Sequence, residues 1–501
     1  MKSLICLLLL VPLSIPAIVL SQSEMHAVIN DLRTFVAIPN NGLNLEEING
    51  NINWLDSAFR QRGLETQILN TEGNPLLFAE KMIDFDLPTI LFYTHLDGQP
   101  VDKRKWNQED PYSAVLKKKG DDNTWEQIEW QTLERGVDKN LRIFGRSAAD
   151  DKAPIIAFLH TMDRLKQKNQ RPACNIKMIV DGEEEMGSPS LPAAVDKYRD
   201  LLDADVMIIN DGPVHISGDP TLIFGCRGIM TLDLTVYGPV TPQHSGHYGN
   251  YAPNPIFRLS QLLSSMKNED GKVIIEGYYD GIEITETDRM TMGVVPDDPQ
   301  KMKELLQIAE PEQVGENYQE ALQYPSLNAR GILSGWVGNQ ARTIVPEFAT
   351  VAIDIRLVPE SDPGRLLNLI KKHIREQGYY IVETEPTKEE RLTYPKIVYL
   401  HSSRSTIAFR TPMQSQAGDW LTRALNTKFG KDPVKIRMMG GTVPLTDFVS
   451  KLELPAVIVP MVNADNNQHS PNENMRIGHL ENALDIYEAI LTTPMQDSDG
   501  K

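Results

Sequence analysis

Histidines and carboxylates of the kind that hold divalent cations recur at five places along the chain. His95 and Asp97 stand two apart in THLDGQPVD, and Asp150 and Asp151 are consecutive in GRSAADDKAP. Glu183, Glu184 and Glu185 follow one another in DGEEEMGS, Asp211 ends an apolar run, and His469 lies in the polar stretch NADNNQHSPNEN. A histidine that binds metal usually has its other ring nitrogen fixed by a carboxylate, and Asp97 is spaced to do this if the chain turns there. The Asp150–Asp151 pair precedes a helical pattern. It reads either as a cap favoured by the helix dipole or as a carboxylate bridging two cations. Three adjacent acids after a buried strand are costly unless solvent or a cation compensates them. Each feature alone has a plain explanation as a turn, a cap or a solvated face. Together, two histidines and several carboxylates describe a nitrogen and oxygen site suited to zinc, cobalt or manganese.

The elements that must position these residues are legible in outline. Four apolar runs, at 88–94, 176–180, 206–209 and 456–460, each lead into an acid or a histidine. Continuous β-branched runs of this length predict strands buried on both faces. Helical patterns at 153–167, 415–429 and 480–492 alternate with them, which predicts an α/β architecture around a largely parallel sheet. Ligands of such sheets bind beyond the carboxyl ends of the strands, where these acids and histidines fall. The region from about 226 to 408 has a different texture. Alternating strands at 231–237 and 350–358, a charged helical stretch at 299–323 and a helix near 364–376 predict an inserted α+β unit with an antiparallel sheet. The charged stretch 117–140 reads as a long surface hairpin or loop.

Bulk properties narrow the function. The 501 residues exceed one ordinary core, and 41% hydrophobic with 24% charged residues is globular composition. A net charge of -18 argues against nucleic acid as a partner. Residues 1–21, a lysine followed by an apolar run and small polar residues, read as a secretory signal, with a retained anchor as the alternative. No later stretch is apolar enough to cross a bilayer. Beyond Cys6 only Cys174 and Cys226 remain, either buried thiols or a single bridge.

Six segments occur in the order HLDGQPVD, GRSAADDKAP, GEEEMGS, QHSGHYGN, IDIRLVP and GGTVP. With them the chain resembles, from about residue 30 to 490, the di-zinc exopeptidases. That family includes carnosinase-type dipeptidases, glutamate carboxypeptidases, aminoacylase and succinyl-diaminopimelate desuccinylase, and the resemblance is strongest to the carnosinase-like branch. It implies a metallopeptidase domain of residues 22–225 and 409–501, with a ferredoxin-like lid and dimerisation domain at 226–408. It also implies two divalent ions, zinc foremost with manganese or cobalt as alternatives. One would be held by His95, Asp150 and Asp211, the other by Asp150, Glu185 and His469. Asp97 would orient His95, Glu184 would be the general base and acid, and His244 would support the oxyanion, often across a homodimer interface. Arg356, Thr343, Gly441 and Thr442 would bind substrate, with Arg356 facing a carboxylate.

The chain departs from the family at two positions. Ala153 replaces the usual glycine after the DDK triplet, and Met439 stands where carnosinase-like members commonly carry an acid for the substrate's amino group. The expectation is an exported hydrolase of dipeptides or other short peptides with a free carboxylate. N-acyl amino acid deacylation is the alternative, and an exported solute-binding protein a distant one.

Overall fold

The computed structural model describes the backbone of residues 17–495 other than Arg404, and their side chains except at 17–21 and Asp447. The expected signal segment lies outside the described residues as far as residue 16. No helix among the described residues is long and apolar enough to cross a membrane.

An eight-stranded sheet forms the centre. In spatial order it runs Glu65–Leu69, Leu76–Lys81, Asn175–Asp181, Thr89–His95, Val206–Ile209, Ala456–Ile458, Thr221–Ile223 and Val434–Ile436. The four strands in the middle are mutually parallel, while the flanking pairs introduce antiparallel contacts. The sheet is therefore mixed and largely parallel. Its central strand shows why the apolar runs are continuous. Ile90 and Phe92 pack with helices Lys152–Gln167 and Ile477–Thr492 on one face. Leu91 and Tyr93 pack with helices Leu191–Leu202 and Thr446–Leu452 on the other. Successive side chains of a strand point to opposite faces, so a strand covered on both sides needs apolar residues at every position. Each such side chain contributes about 1.5–3 kcal/mol by leaving water.

Between the two parts of this sheet the chain builds a second one. Gly228–Tyr237, Asn328–Leu333, Phe348–Leu357 and Ile397–Ser402 pair antiparallel, with the Phe348–Leu357 strand between the second and the first. Helices Pro255–Ser264 and Pro363–Glu376 cover one face through Leu259, Leu262, Leu366 and Ile370. The order is strand, helix, strand, strand, helix, strand, which is ferredoxin-like. Burial alternates residue by residue along the two long strands, as one covered face requires.

One expectation needs correction. The charged stretch 299–323 is helical only at Pro299–Leu306 and Tyr318–Ala321, because Gln307 turns left-handed at φ 53° and ends the first helix. The stretch 117–140 takes the hairpin form, the first of the two forms expected for it. Strands Val115–Lys119 and Trp125–Ile128 pair as a hairpin, which joins Arg142–Phe144 and Asn474–Arg476 in a four-stranded sheet. That small sheet brings the segment before Asp150 alongside the segment after His469.

Candidate metal centre

His95 is the last residue of its strand and lies opposite Asp181 on the neighbouring strand. Its Nδ1 is 3.2 Å from the Asp97 carbonyl and 3.4 Å from Asp97 Oδ1. Its Nε2 is 2.9 Å from Asp150 Oδ1. Asp97 does a second thing that its spacing did not reveal. Its two oxygens accept the backbone N–H groups of Glu184 and Glu185, each at 3.1 Å. One buried carboxylate thus faces the imidazole and fixes the turn that carries both glutamates.

The three consecutive acids have three different environments. Glu183 turns away and accepts the N–H groups of Asn74 and Ser190, pinning this turn to a neighbouring loop. Glu185 Oε2 lies 3.2 Å from His469 Nε2 and accepts from Gln99 Nε2 at 2.8 Å. Glu184 hydrogen-bonds no side chain among the described residues and stands free to meet another group. The like charges are separated by geometry as well as by any cation they face.

Asp150 sits between the two histidines. His95 meets Oδ1, and His469 Nε2 comes within 3.1 Å of Oδ2, off the line of a hydrogen bond. The buried Oδ2 is left without a hydrogen-bond partner. Ligand atoms of His95, Asp150 and Asp211 all lie within 4.8 Å of one another, as do those of Asp150, Glu185 and His469. His469 reaches this position from a loop bent by left-handed residues, with φ 58° at Asn467, 59° at His469 and 65° at Asn472. A histidine in that conformation costs of order 1–3 kcal/mol.

A residue absent from the sequence reading holds the two halves together. Glu473, four positions beyond His469, is fully buried. Its Oε1 accepts the N–H groups of Ala149 and Asp150 at 3.0 Å, while Oε2 accepts that of Ser147 at 2.9 Å and Arg146 Nη1 at 2.7 Å. Glu473→Gln puts an amide NH2 against backbone donors and leaves Arg146 buried without its anion. We expect it to destabilise the protein by about 3 kcal/mol and to lower metal affinity by roughly 10–100-fold. Denaturant unfolding and metal titration check both effects, and unchanged values would remove Glu473 from this role.

The electrostatics describe a site built for positive charge. Burial first, and then the neighbouring acids, push the Glu184 carboxyl well above its ordinary range, with His95 opposing. Burial also raises Glu185 to about 7 and Asp211 to about 6. The contact with Asp150 raises His469 to about 9. Asp150 alone goes the other way: burial works against it, but the two imidazoles hold its carboxyl below the usual range. Without a cation, the protonated forms of Glu184, Glu185, Asp211 and the two histidines are favoured, with Asp150 the exception. Two divalent ions would relieve that crowding, and the unpartnered oxygen of Asp150 together with a set of imidazole and carboxylate donors fits them.

A similar fold is found in known proteins. The profile of peptidase family M20/M25/M40 matches residues 91–493. The chain belongs to this family. Among its M20 relatives, it is 25% identical over 421 residues to the Cys-Gly metallodipeptidase dug1 of Schizosaccharomyces pombe, covering 82% of this chain and 81% of that one. It is 26% identical over 409 residues to the human Beta-Ala-His dipeptidase, covering 80% and 74%. The crystal structure of the M20 metallo-carboxypeptidase Sso-CP2 from Sulfolobus solfataricus superposes with a TM-score of 0.71 at 27% identity, over 93% of this chain and 98% of that one.

Other positions singled out in the sequence lie apart from this cluster. His244 is exposed in the ferredoxin-like unit, where its Nδ1 accepts the N–H of Gly246 at 3.0 Å. Thr343 lies beside it, its carbonyl accepting from Ser245 N–H. Neither joins the two groups of potential ligands. Arg356 Nη1 donates to Thr442 Oγ1 at 2.7 Å, linking the two units. Met439 bends its methyl against Gly441. Cys174 and Cys226 are both buried free thiols, each pushed up to about 12 by burial, and do not form the single bridge the sequence left open. Gln99 was also missed; its only signal was its place in HLDGQ, two residues beyond Asp97.

Proposed function

We propose that this M20 protein is an exported, homodimeric dinuclear-metal dipeptidase that hydrolyses the amide bond of a short peptide with a free carboxylate. The observation that carries this reading is Asp150, shared between two groups of three potential ligands. His95, Asp150 and Asp211 would hold one ion, and Asp150, Glu185 and His469 the other, with zinc the natural choice for such donors. Two cations so held supply charge neutralisation and water activation near neutral pH.

The chain's own residues do the rest. Asp97 orients His95 and fixes the turn that presents Glu184. Glu184 takes a proton from the attacking water and returns it to the leaving amine. Arg356 receives the substrate carboxylate, with Gly441 and Thr442 lining the same side. His244 and Thr343, both exposed, complete the oxyanion and substrate contacts from a second copy of the chain. The homodimer reading is further supported by strand Asn328–Leu333, an edge of its sheet that is exposed throughout and carries Ile332 and Leu333 at 62% and 65% exposure. Export rests on the apolar segment 1–21. The similarity to a Cys-Gly metallodipeptidase and a Beta-Ala-His dipeptidase supports dipeptides as the substrate class.

One observation favours N-acyl amino acid deacylation as a second reading. The apolar Met439 lies against the Gly441 loop, where an acyl group would find no charge to satisfy. A single experiment separates the two. Protein recovered from the exported fraction, with a mature N-terminus beyond residue 21, is offered dipeptides and N-acetyl amino acids with added zinc or manganese. We expect chelator-sensitive hydrolysis that favours the dipeptides. Preference for the acetylated series would replace the first reading with the second, and hydrolysis of neither would overturn both.

A further inference from the structure

Arg227 is an unexplained charge. It lies where the chain passes from the large sheet into the ferredoxin-like unit and is only 7% exposed. Its Nη2 donates to the Tyr324 carbonyl at 2.6 Å, yet its buried Nε has no hydrogen-bond partner. It pairs with no carboxylate among the described residues. Leaving a guanidinium buried without an anion is unfavourable, and native structures reserve such groups for a ligand or a counter-charge.

The surroundings say where that ligand would come from. Arg227 lines a cavity of about 180 Å³ together with Ser326, Tyr279, Tyr318 and Tyr324. Three contacts tie this cavity to the loop at residues 440–442. The Arg227 N–H donates to the Gly441 carbonyl at 3.1 Å, the Leu322 side chain of the cavity wall lies against Gly440, and Arg356 reaches Thr442. Ser326 joins the cavity wall to Arg356 itself, through its N–H to the Arg356 carbonyl at 3.1 Å and its Oγ accepting the Arg356 N–H at 3.0 Å. Burial, and then the nearby positive charge of Arg356, draw the Arg227 guanidinium down to about 10. Neither guanidinium is ion-paired with a carboxylate among the described residues, and the two lie close enough for one charge to act on the other. Lys267 is also on the cavity wall but is already neutralised by Glu312 at 3.0 Å. A purely structural tie between the two units would account for the bond to Tyr324, but not for a guanidinium that lines a cavity without a carboxylate paired to it.

We propose that Arg227 is the centre of a second anion subsite, which accepts the side-chain carboxylate of a substrate whose C-terminal residue is acidic. This deepens the dipeptidase reading and rests on it: Arg356 takes the α-carboxylate and Arg227 the side-chain carboxylate of the same residue. A planar guanidinium suits a carboxylate because two parallel N–H donors can meet its two oxygens.

The test uses near-isosteric pairs, dipeptides ending in Glu against Gln and in Asp against Asn, with kcat/KM measured on the metal-loaded enzyme. A hydrogen bond to a charged group implies a preference of about tenfold or more for the acidic member, carried in KM. In Arg227→Met the ratio should collapse towards one, and in Arg227→Lys it should survive in part. Equal rates for wild type on Glu and Gln substrates would overturn the subsite, as would an Arg227→Met variant that loses both members alike. Inhibition of the wild type by free glutamate against free glutamine gives a second measurement that does not depend on a variant folding. Glutamate should inhibit at the lower concentration, and equal inhibition would count against the subsite. If the wild type cleaves no dipeptide at all, the functional reading fails instead, so the two failures are distinguishable.

Discussion

Replacing Glu184 by Gln should lower kcat by about 10²–10⁴-fold while both metal ions stay bound. The expectation follows from how the side chain is held. Asp97 fixes the backbone N–H of Glu184, not its carboxylate, so a near-isosteric amide keeps the turn and its position. Glu185, the neighbouring group proposed to bind metal, is fixed separately by Asp97 and by Gln99. The substitution therefore removes the proton acceptor and leaves the rest of the site in place. Steady-state kinetics with metal analysis of the purified variant checks it. Turnover near the wild-type rate would sink Glu184 as the base. Loss of metal would mean that its carboxylate holds an ion.

Asp150→Asn should empty the site of both ions. Asp150 belongs to both groups of potential ligands, and its two oxygens face different histidines. An amide has one acceptor oxygen and one donor nitrogen, so it cannot serve two cations. Metal content should fall from about two ions per chain towards none, with activity at background. Asp211→Asn and His469→Ala each alter only one group, and should leave a chain that retains about one ion. The comparison isolates the shared position. An Asp150→Asn protein that keeps both ions would show that Asp150 does not bridge them.

The two variants probe different layers of the same arrangement, and those layers were not equally visible beforehand. The central strands announced themselves, because Ile90, Leu91, Phe92 and Tyr93 must all be apolar when both faces of the sheet are covered. The acids and histidines at the strand ends stood out for the converse reason. Such groups directly after a buried run need a ligand, a partner or water. The inserted unit was legible from its alternation, since Gly228–Tyr237 and Phe348–Leu357 each bury every second residue.

The remaining features depend on contacts between distant parts of the chain. Glu473 looked like one more polar residue in a turn-rich stretch, because the N–H groups it grips lie more than 300 positions earlier. Nothing in the run of three glutamates told Glu183 from its neighbours; the difference is set by Asn74 and Ser190 on other segments. The charged stretch 299–323 misled for a local reason, since charge pattern alone cannot see a left-handed residue at Gln307.

The amino-acid sequence by itself determined which strands are buried and which side chains stand at their ends, because both follow from residue type and periodicity along a few neighbouring positions. The tertiary structure decided which of those side chains meet. Parallel register sets His95 beside Asp181, Asp97 grips the glutamate turn, and a small sheet carries His469 and Glu473 to Asp150. Those meetings depend on hydrogen bonds between segments far apart in the chain, which no local pattern encodes.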